Sequence, residues 1–224
     1  MSGENTALMG GRARVLIVDD HPLVREGLVA RISAQADLEV CGQASDIDEA
    51  LSLLRATAPH LMIVDLALKR ANGLDLIRRV TAWPSRPKIL VVSAYDEALF
   101  AERVLRAGAQ GYLNKQELQG SLIEALRALQ RGELYLSAEL TQRLAGQALS
   151  GRPAPLGTDA LSDRELQIFE LIGHGASTRL IATQLHLSVH TVESHREKIR
   201  HKLQLRNGTE LLQHAVKWTL EKNR

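Results

Sequence analysis

Short apolar runs, each closed by a polar side chain, constrain the fold of this chain more than any other feature. Four such runs end at Asp19-Asp20, Asp65, Ser93 and Lys115. If the runs are parallel strands of one sheet, their carboxyl ends lie at the same edge. Three carboxylates, a hydroxyl and an ammonium would then share one pocket, which can hold a hard cation and a phosphoryl group.

Strand-like runs alternate with helical periodicity over the first 131 residues. The predicted strands are Val15–Val18, Glu39–Gln43, Leu61–Val64, Ile89–Val92 and Gly111–Leu113. The predicted helices are Leu23–Ile32, Ile47–Arg55, Leu74–Val80, Leu99–Ala107 and Leu118–Leu129. Three of the strands are continuously apolar, as strands buried on both faces of a parallel sheet are. We therefore predict an α/β domain with a doubly wound, parallel, five-stranded sheet.

The pattern changes after Gly132. Residues 133–136 are predicted to be extended and residues 138–149 to be helical. Residues 150–158 contain two Pro and two Gly, which is typical of a linker.

The rest of the chain is predicted to be all-helical. A capping box formed by Ser162 and Glu165 opens the first helix, and further helices are expected near residues 177–185, 189–203 and 209–220. We therefore predict a domain over 12–131, a linker with a helix over 132–158, and a small all-α domain over 159–224.

Composition limits the cellular setting. The lone Cys41 cannot form an internal disulfide, which favours a reducing compartment. No apolar run approaches the roughly 18 residues needed to span a bilayer, so we expect a cytoplasmic protein with no membrane partner. Residues 151–224 hold 11 Lys and Arg against 8 Asp and Glu, and this basic balance favours a polyanionic partner.

The predicted pocket has the groups needed for phosphoryl chemistry. Mg²⁺ takes oxygen ligands, typically one or two carboxylates with phosphate oxygens and water. Asp20 and Asp65 can supply the carboxylates, and Asp19 can act through water. A carboxylate can also attack phosphorus, while Lys115 and the Ser93 hydroxyl can stabilise the transferred group.

Residues 14–131 resemble the receiver domain of a two-component response regulator, because the acidic doublet, the Asp65–Gly73 stretch, Ser93-Ala94 and Lys115 follow that family's order and spacing. The resemblance implies a flavodoxin-like fold, a Mg²⁺ cofactor and a sensor histidine kinase as phosphodonor. It also implies that Asp65 is the phosphoacceptor and that Asp19, Asp20 and Asp65 bind the metal together with the backbone carbonyl of Ala67.

The same resemblance implies a switch. Ser93 would be the switch hydroxyl, Tyr112 the switch aromatic, and Lys115 the cation that contacts the phosphoryl group. Two residues depart from the family pattern: Lys69 replaces the usual Pro, and Gln116 replaces a Pro or an acidic residue. Neither departure removes a group that the reaction needs.

A second motif lies in the helical part of the chain. Its apolar and small residues fit two crossing helices joined by a short turn, as in a helix-turn-helix: Ile181, Ala182, Leu185, Leu187, Ser188, Val192, Ile199 and Leu203. The second helix of such a motif enters the major groove of DNA. The candidate DNA-binding residues are Thr191, Glu193, Ser194, Glu197, Lys198 and Lys202.

Residues 159–220 resemble the LuxR-type DNA-binding domain, through Leu161-Ser162, Arg164-Glu165, Ile181-Ala182, Leu187-Ser188, Thr191-Val192, His195 and Lys202-Leu203. A receiver joined to this module is the NarL/FixJ-type response regulator. The resemblance implies a homodimer on double-stranded DNA. His186 departs from many helix-turn-helix families, which carry Gly in the turn.

The sequence therefore predicts a phosphorylation-controlled transcription regulator rather than an enzyme. One alternative is a DNA-binding regulator that acts without phosphorylation and whose receiver only mediates dimerisation. A phosphatase is a second alternative, but the sequence offers no second nucleophile or general base. A nucleotide-binding protein is a third, but no Gly-rich loop follows the first strand.

Overall fold

The computed structural model describes residues 11–68, 71–95, 97–150 and 158–222. The chain divides into two compact units, Met1–Leu144 and Ala145–Arg224. Lys69 and residues 151–157 of the predicted linker lie outside the described residues.

The first unit contains a five-stranded parallel sheet. Its strands are β1 (Ala13–Val18), β2 (Leu38–Ala44), β3 (Leu61–Val64), β6 (Lys88–Ser93) and β7 (Gly111–Asn114), in the order β2-β1-β3-β6-β7. A small antiparallel hairpin, β4 (Ala67–Leu68) and β5 (Ala71–Asn72), follows β3. The doubly wound sheet confirms the predicted fold class, and its order is that of flavodoxin-like folds.

Helices connect the strands as the periodicity predicts. They are α1 (Pro22–Ser33), α2 (Ile47–Thr57), α3 (Gly73–Thr81), α4 (Glu97–Ala107) and α5 (Leu118–Gln130). On one face of the sheet, Val15 and Ile17 pack in a core with Leu28 and Leu126 from two of these helices. The alternate residues of β1 are equally buried, so the sheet is covered on both faces.

The segment after α5 continues the sheet edge. The Tyr112 N–H donates to the Tyr135 carbonyl at 2.9 Å, and the Tyr135 N–H donates to the Gln110 carbonyl at 3.0 Å. Helix α6 (Ala138–Ser150) follows, and the backbone N–H of Ser137 just before it donates to Glu97 Oε1 at 2.9 Å. The predicted extended stretch is therefore hydrogen-bonded to β7, and α6 begins next to α4.

The second unit is helical, as predicted. Its helices are α7 (Asp163–Gly173), α8 (Thr178–Gln184), α9 (Val189–Lys202) and α10 (Gly208–Lys222). The capping box forms, because the Ser162 N–H donates to Glu165 Oε2 at 2.7 Å and the Ser162 hydroxyl accepts from the Glu165 N–H. Gly173 permits close packing of α7 on α10, since a Cβ there would lie 2.1 Å from Thr219 Oγ1.

Helices α8 and α9 are joined by the predicted turn. His186 has a left-handed backbone with φ of 50°, which explains why Gly is common at such a position. The Leu187 N–H then donates to the Ala182 carbonyl at 2.8 Å. The Ser188 side chain accepts from the Thr191 N–H and caps α9. In helix α10, Leu211 and Ala215 are buried in this unit, whereas Leu212 is exposed.

Candidate functional site

Three carboxylates converge at the carboxyl edge of the sheet. Asp19 and Asp20 follow β1, Asp65 follows the neighbouring β3, and all three side chains are buried. One ligand atom from each, with a ring nitrogen of His21, lies within 4.8 Å of the others. The structure thus brings the three predicted acids together and adds a histidine that sequence reasoning missed. Its position directly after the acidic doublet was the available signal.

Lys115 links two of these acids. Its Nζ lies 2.7 Å from Asp65 Oδ2 and 2.8 Å from Asp19 Oδ2. Burial raises the pKa of Asp65 above its ordinary value and outweighs the lowering by the Lys115 charge. Burial would lower the pKa of Lys115, but Asp65 and Asp19 together raise it. Lys115 therefore remains an ammonium that compensates buried negative charge.

Basic groups also orient the acidic doublet. His21 Nδ1 lies 2.8 Å from Asp20 Oδ1 and 3.2 Å from Asp19 Oδ1, and the His21 N–H donates to Asp19 Oδ1 at 2.7 Å. Arg25 donates to the Asp19 carbonyl at 2.6 Å. The first turn of α1 therefore fixes the loop that carries both carboxylates.

The predicted switch residues are connected through Tyr95. The Ser93 hydroxyl oxygen accepts from the Tyr95 N–H at 3.1 Å, and the Tyr112 hydroxyl donates to the Tyr95 carbonyl at 2.8 Å. All three side chains are buried. The Ala67 N–H, two residues after Asp65 at the start of β4, donates to Asp65 Oδ1 at 3.2 Å.

The pocket fits a hard divalent cation. Its acidic ligands are all oxygens, which Mg²⁺ prefers, and they come from two fixed loops. The buried cluster of three acids carries more negative charge than Lys115 alone can balance, and a cation would offset the remainder.

The second unit presents one helix of its helix-turn-helix to solvent. Val192 and Ile199 of α9 are buried, as predicted, and hold the helix against the unit. On the opposite side, Glu193, Glu197 and Lys198 are exposed. An exposed, capped second helix is the geometry that reads the major groove in this class of motif.

Comparison with known proteins decides the family. Residues 15–127 match the response regulator receiver domain, and residues 159–215 match the family described as bacterial regulatory proteins, luxR family. The chain belongs to the LuxR-type response regulators. This response regulator is 34% identical over 210 residues to the oxygen regulatory protein NreC of Staphylococcus carnosus, covering 91% of the chain and 97% of NreC.

Two further proteins are similar to this chain over nearly their whole length. The chain is 31% identical to the transcriptional regulatory protein LiaR of Bacillus subtilis, over 90% of this response regulator and 96% of LiaR. RcsB from Salmonella enterica serovar Typhimurium, bound to promoter rprA in the presence of phosphomimetic BeF3⁻, has a TM-score of 0.60 at 26% identity, covering 92% of this chain and 99% of RcsB.

The comparisons confirm the predicted identity and function class. LuxR-type response regulators are phosphorylation-controlled, DNA-binding transcription regulators of two-component systems, and their receivers bind Mg²⁺ at an acidic pocket. The family consists of regulators rather than enzymes. Among the described residues, no helix of this response regulator is long and apolar enough to cross a membrane.

Several predicted DNA-binding residues of this response regulator also make bonds within the unit. Thr191 Oγ1 lies 2.8 Å from the capping Ser188 hydroxyl, and the Ser194 hydroxyl donates to the His190 carbonyl at 3.0 Å. Lys202 Nζ lies 2.6 Å from Oε2 of Glu165, and the Glu165 side chain is buried. Lys202 therefore has a structural partner that its sequence position did not reveal.

The Glu165–Lys202 pair predicts a pH dependence of stability. Burial raises the pKa of Glu165, but the hydrogen bonds from Lys202 and Ser162 lower it by more. The pKa of Glu165 therefore lies below its ordinary value of 4.5. A carboxylate with a lowered folded-state pKa contributes stability above pH 4.5 and loses it as pH falls through the folded value. We expect the free energy of unfolding of this unit to fall below pH 4.5, and to fall less steeply in Glu165→Gln.

Urea unfolding followed by Trp218 fluorescence measures this effect. Trp218 packs on Phe169 at 5.1 Å between ring centroids, so its emission reports on the second unit. Both the wild-type protein and Glu165→Gln are prepared with Trp83→Phe, which removes the other tryptophan. Parallel pH profiles for the two proteins would contradict the assignment of the ion pair.

Proposed function

We propose that Asp65 accepts a phosphoryl group from the phosphohistidine of a sensor histidine kinase, and that this event controls DNA binding by the second unit. The observation that carries the proposal is the contact of Lys115 with both Asp65 and Asp19 inside a buried cluster of three acids. A cation held over one carboxylate oxygen is suited to stabilise phosphoryl charge as it develops.

The proposed reaction moves one phosphoryl group. A carboxylate oxygen of Asp65 attacks phosphorus, the P–N bond of the phosphohistidine breaks, and the imidazole nitrogen keeps the bonding electrons. The product is an acyl phosphate on Asp65. Lys115 and the Ala67 N–H, which already contact the carboxylate, lie where they can contact the incoming group.

We propose that Asp19, Asp20, Asp65 and the backbone carbonyl of Ala67 hold Mg²⁺. When bound, Mg²⁺ neutralises charge on the phosphoryl oxygens. His21 and Arg25 keep the acidic doublet in place on one side of the site. Because the doublet is buried and oriented, little reorganisation is needed for it to bind the ion.

We propose that Ser93 and Tyr112 transmit the modification. In the present structure the Ser93 hydroxyl accepts a hydrogen bond from the Tyr95 N–H. On phosphorylation this hydroxyl turns to donate to a phosphoryl oxygen and releases the Tyr95 N–H. Tyr112 is bonded to the carbonyl of the same Tyr95, so its ring responds to that release. The Tyr112 N–H is bonded to Tyr135, which passes the change to the segment before α6.

We propose that the protein acts as a homodimer in the cytoplasm, where the chromosome is accessible, and that α9 of each subunit contacts DNA. The proposed contacts are Thr191, Glu193, Ser194, Glu197, Lys198 and Lys202. Helix-turn-helix dimers read two half-sites about one helical turn apart, and RcsB dimers have been seen on DNA.

The proposed boundaries are 12–131 for the receiver, 132–158 for the linker with its helix, and 159–224 for the DNA-binding domain.

Metal removal tests the proposed phosphoryl site. With acetyl phosphate as donor, a chelator should stop phosphorylation and added Mg²⁺ should restore it, because unneutralised acids repel the donor. Asp20→Asn should lower the rate at saturating donor and limiting Mg²⁺ by at least about tenfold. Phosphorylation can be followed by intact-protein mass spectrometry. Equal labelling with and without chelator would overturn the assignment of the site.

A further inference from the structure

Two carboxylates stand on the exposed face of α9. Glu193 is the fifth residue of the helix and Glu197 follows one turn later, so both lie on one stripe of the surface. Carboxylates are unexpected on a helix that approaches phosphates, because they oppose the attraction that drives DNA binding. Their hydrogen-bond partners separate their roles.

Glu197 is largely engaged within its own helix. Arg200 donates to both of its carboxylate oxygens, to Oε2 at 3.2 Å and to Oε1, and His201 Nε2 lies 3.1 Å from Oε1. These bonds occupy most of the acceptor positions of the carboxylate. Glu197 is therefore a residue that orients Arg200 rather than a free acceptor.

Glu193 keeps acceptor capacity. Its Oε1 accepts from the Thr178 hydroxyl at 2.9 Å, while Arg196 Nε lies 3.7 Å from Oε2, which is too far for a hydrogen bond. A carboxylate has about four lone-pair sites, so accepting positions remain on an exposed side chain. Thr178 is the first residue of α8, and it fixes the carboxylate by a bond between the two helices.

We propose that Glu193 reads cytosine, a proposal that rests on DNA binding by α9. In the major groove cytosine presents the N4 amino donor, whereas guanine presents only acceptors and thymine an acceptor and a methyl group. An acceptor-only side chain is attracted to the cytosine edge and repelled by the other two. Adenine offers a donor beside an acceptor, so a carboxylate meets it less well. Thr178 acts as a positioning residue.

Selection of binding sites from a random duplex library tests the proposal. The full-length protein is activated with BeF3⁻ and compared with Glu193→Gln, Glu197→Gln and Thr178→Val. We expect one cytosine in each half-site of the wild-type motif. Because Gln pairs with adenine, Glu193→Gln should change that base to adenine, and its preference for cytosine should fall roughly 5- to 150-fold.

The control variants separate base reading from helix packing. Glu197→Gln changes a proposed DNA contact and can lower the overall affinity, but it should keep the cytosine in the selected motif. Thr178→Val should weaken the preference at that base pair without changing it to adenine. If Glu193 only ties α8 to α9, Glu193→Gln will select the wild-type motif, which overturns the inference and leaves DNA binding intact. If the wild-type protein enriches no sequence, the proposed DNA reading itself fails. Thermal unfolding of each variant verifies that it is folded.

Discussion

Asp65→Asn is expected to abolish acyl-phosphate formation with acetyl phosphate and Mg²⁺. The amide is not a nucleophile towards phosphorus, yet it has the shape of the carboxylate. Its single oxygen can still accept from Lys115, whereas its NH2 group takes the place of the oxygen that accepts from the Ala67 N–H. Since burial raises the pKa of Asp65, a charge at this position is unfavourable in the folded receiver, and its removal should offset much of the cost of that lost hydrogen bond. Intact-protein mass spectrometry measures the loss.

Asp75→Asn is the matched control. Asp75 lies on the exposed face of α3, where its carboxylate contacts Arg78 at 3.1 Å. This variant should be phosphorylated at the wild-type rate. A hydroxylamine-sensitive phosphoryl group that persists in Asp65→Asn would assign the nucleophile to another residue.

Gly73→Ala should have the second large effect, on stability and phosphorylation together. A Cβ at Gly73 would lie 2.1 Å from the Asp65 carbonyl oxygen and 2.9 Å from Leu66 Cα. Both are backbone atoms of the loop that carries Asp65, so this loop must move. We expect a loss of about 3 kcal/mol or more in the free energy of unfolding, with slower phosphorylation of the molecules that remain folded.

Gly120→Ala is the control for this change. Gly120 lies in α5, and no atom comes within 4 Å of a Cβ placed there. Replacing a helical glycine by alanine should stabilise the protein by up to about 1 kcal/mol. Denaturant unfolding of both variants gives the comparison, and equal stabilities would show that the approach of Gly73 to the Asp65 loop is unimportant.

The sheet and its pocket were predictable because burial leaves a local trace. Continuously apolar strands such as Leu61–Val64 predict a sheet covered on both faces, and parallel strands put their carboxyl ends at one edge. The family pattern then gave each strand-end residue a role. The structure places Asp19, Asp20, Asp65 and Lys115 together, as that reasoning required.

Contacts between distant side chains were not predictable in the same way. Lys202 meets Glu165 across 37 residues, and Tyr135 bonds to β7 through its backbone, which leaves no pattern in side-chain identity. The bond from Thr178 to Glu193 joins a half-buried residue to an exposed one on a different helix. Periodicity records which residues are buried, whereas these contacts depend on how the elements cross in space.

Phosphorylation-dependent DNA affinity tests the central claim most directly. Fluorescence anisotropy with a duplex taken from the selected motif gives the Kd of the full-length protein with and without BeF3⁻, at one fixed salt concentration. A linked switch predicts that BeF3⁻ tightens binding of the wild-type protein by about 5- to 150-fold and leaves Asp65→Asn unchanged. The same Kd for the wild-type protein in both conditions would contradict phosphorylation control and favour a receiver that only mediates dimerisation.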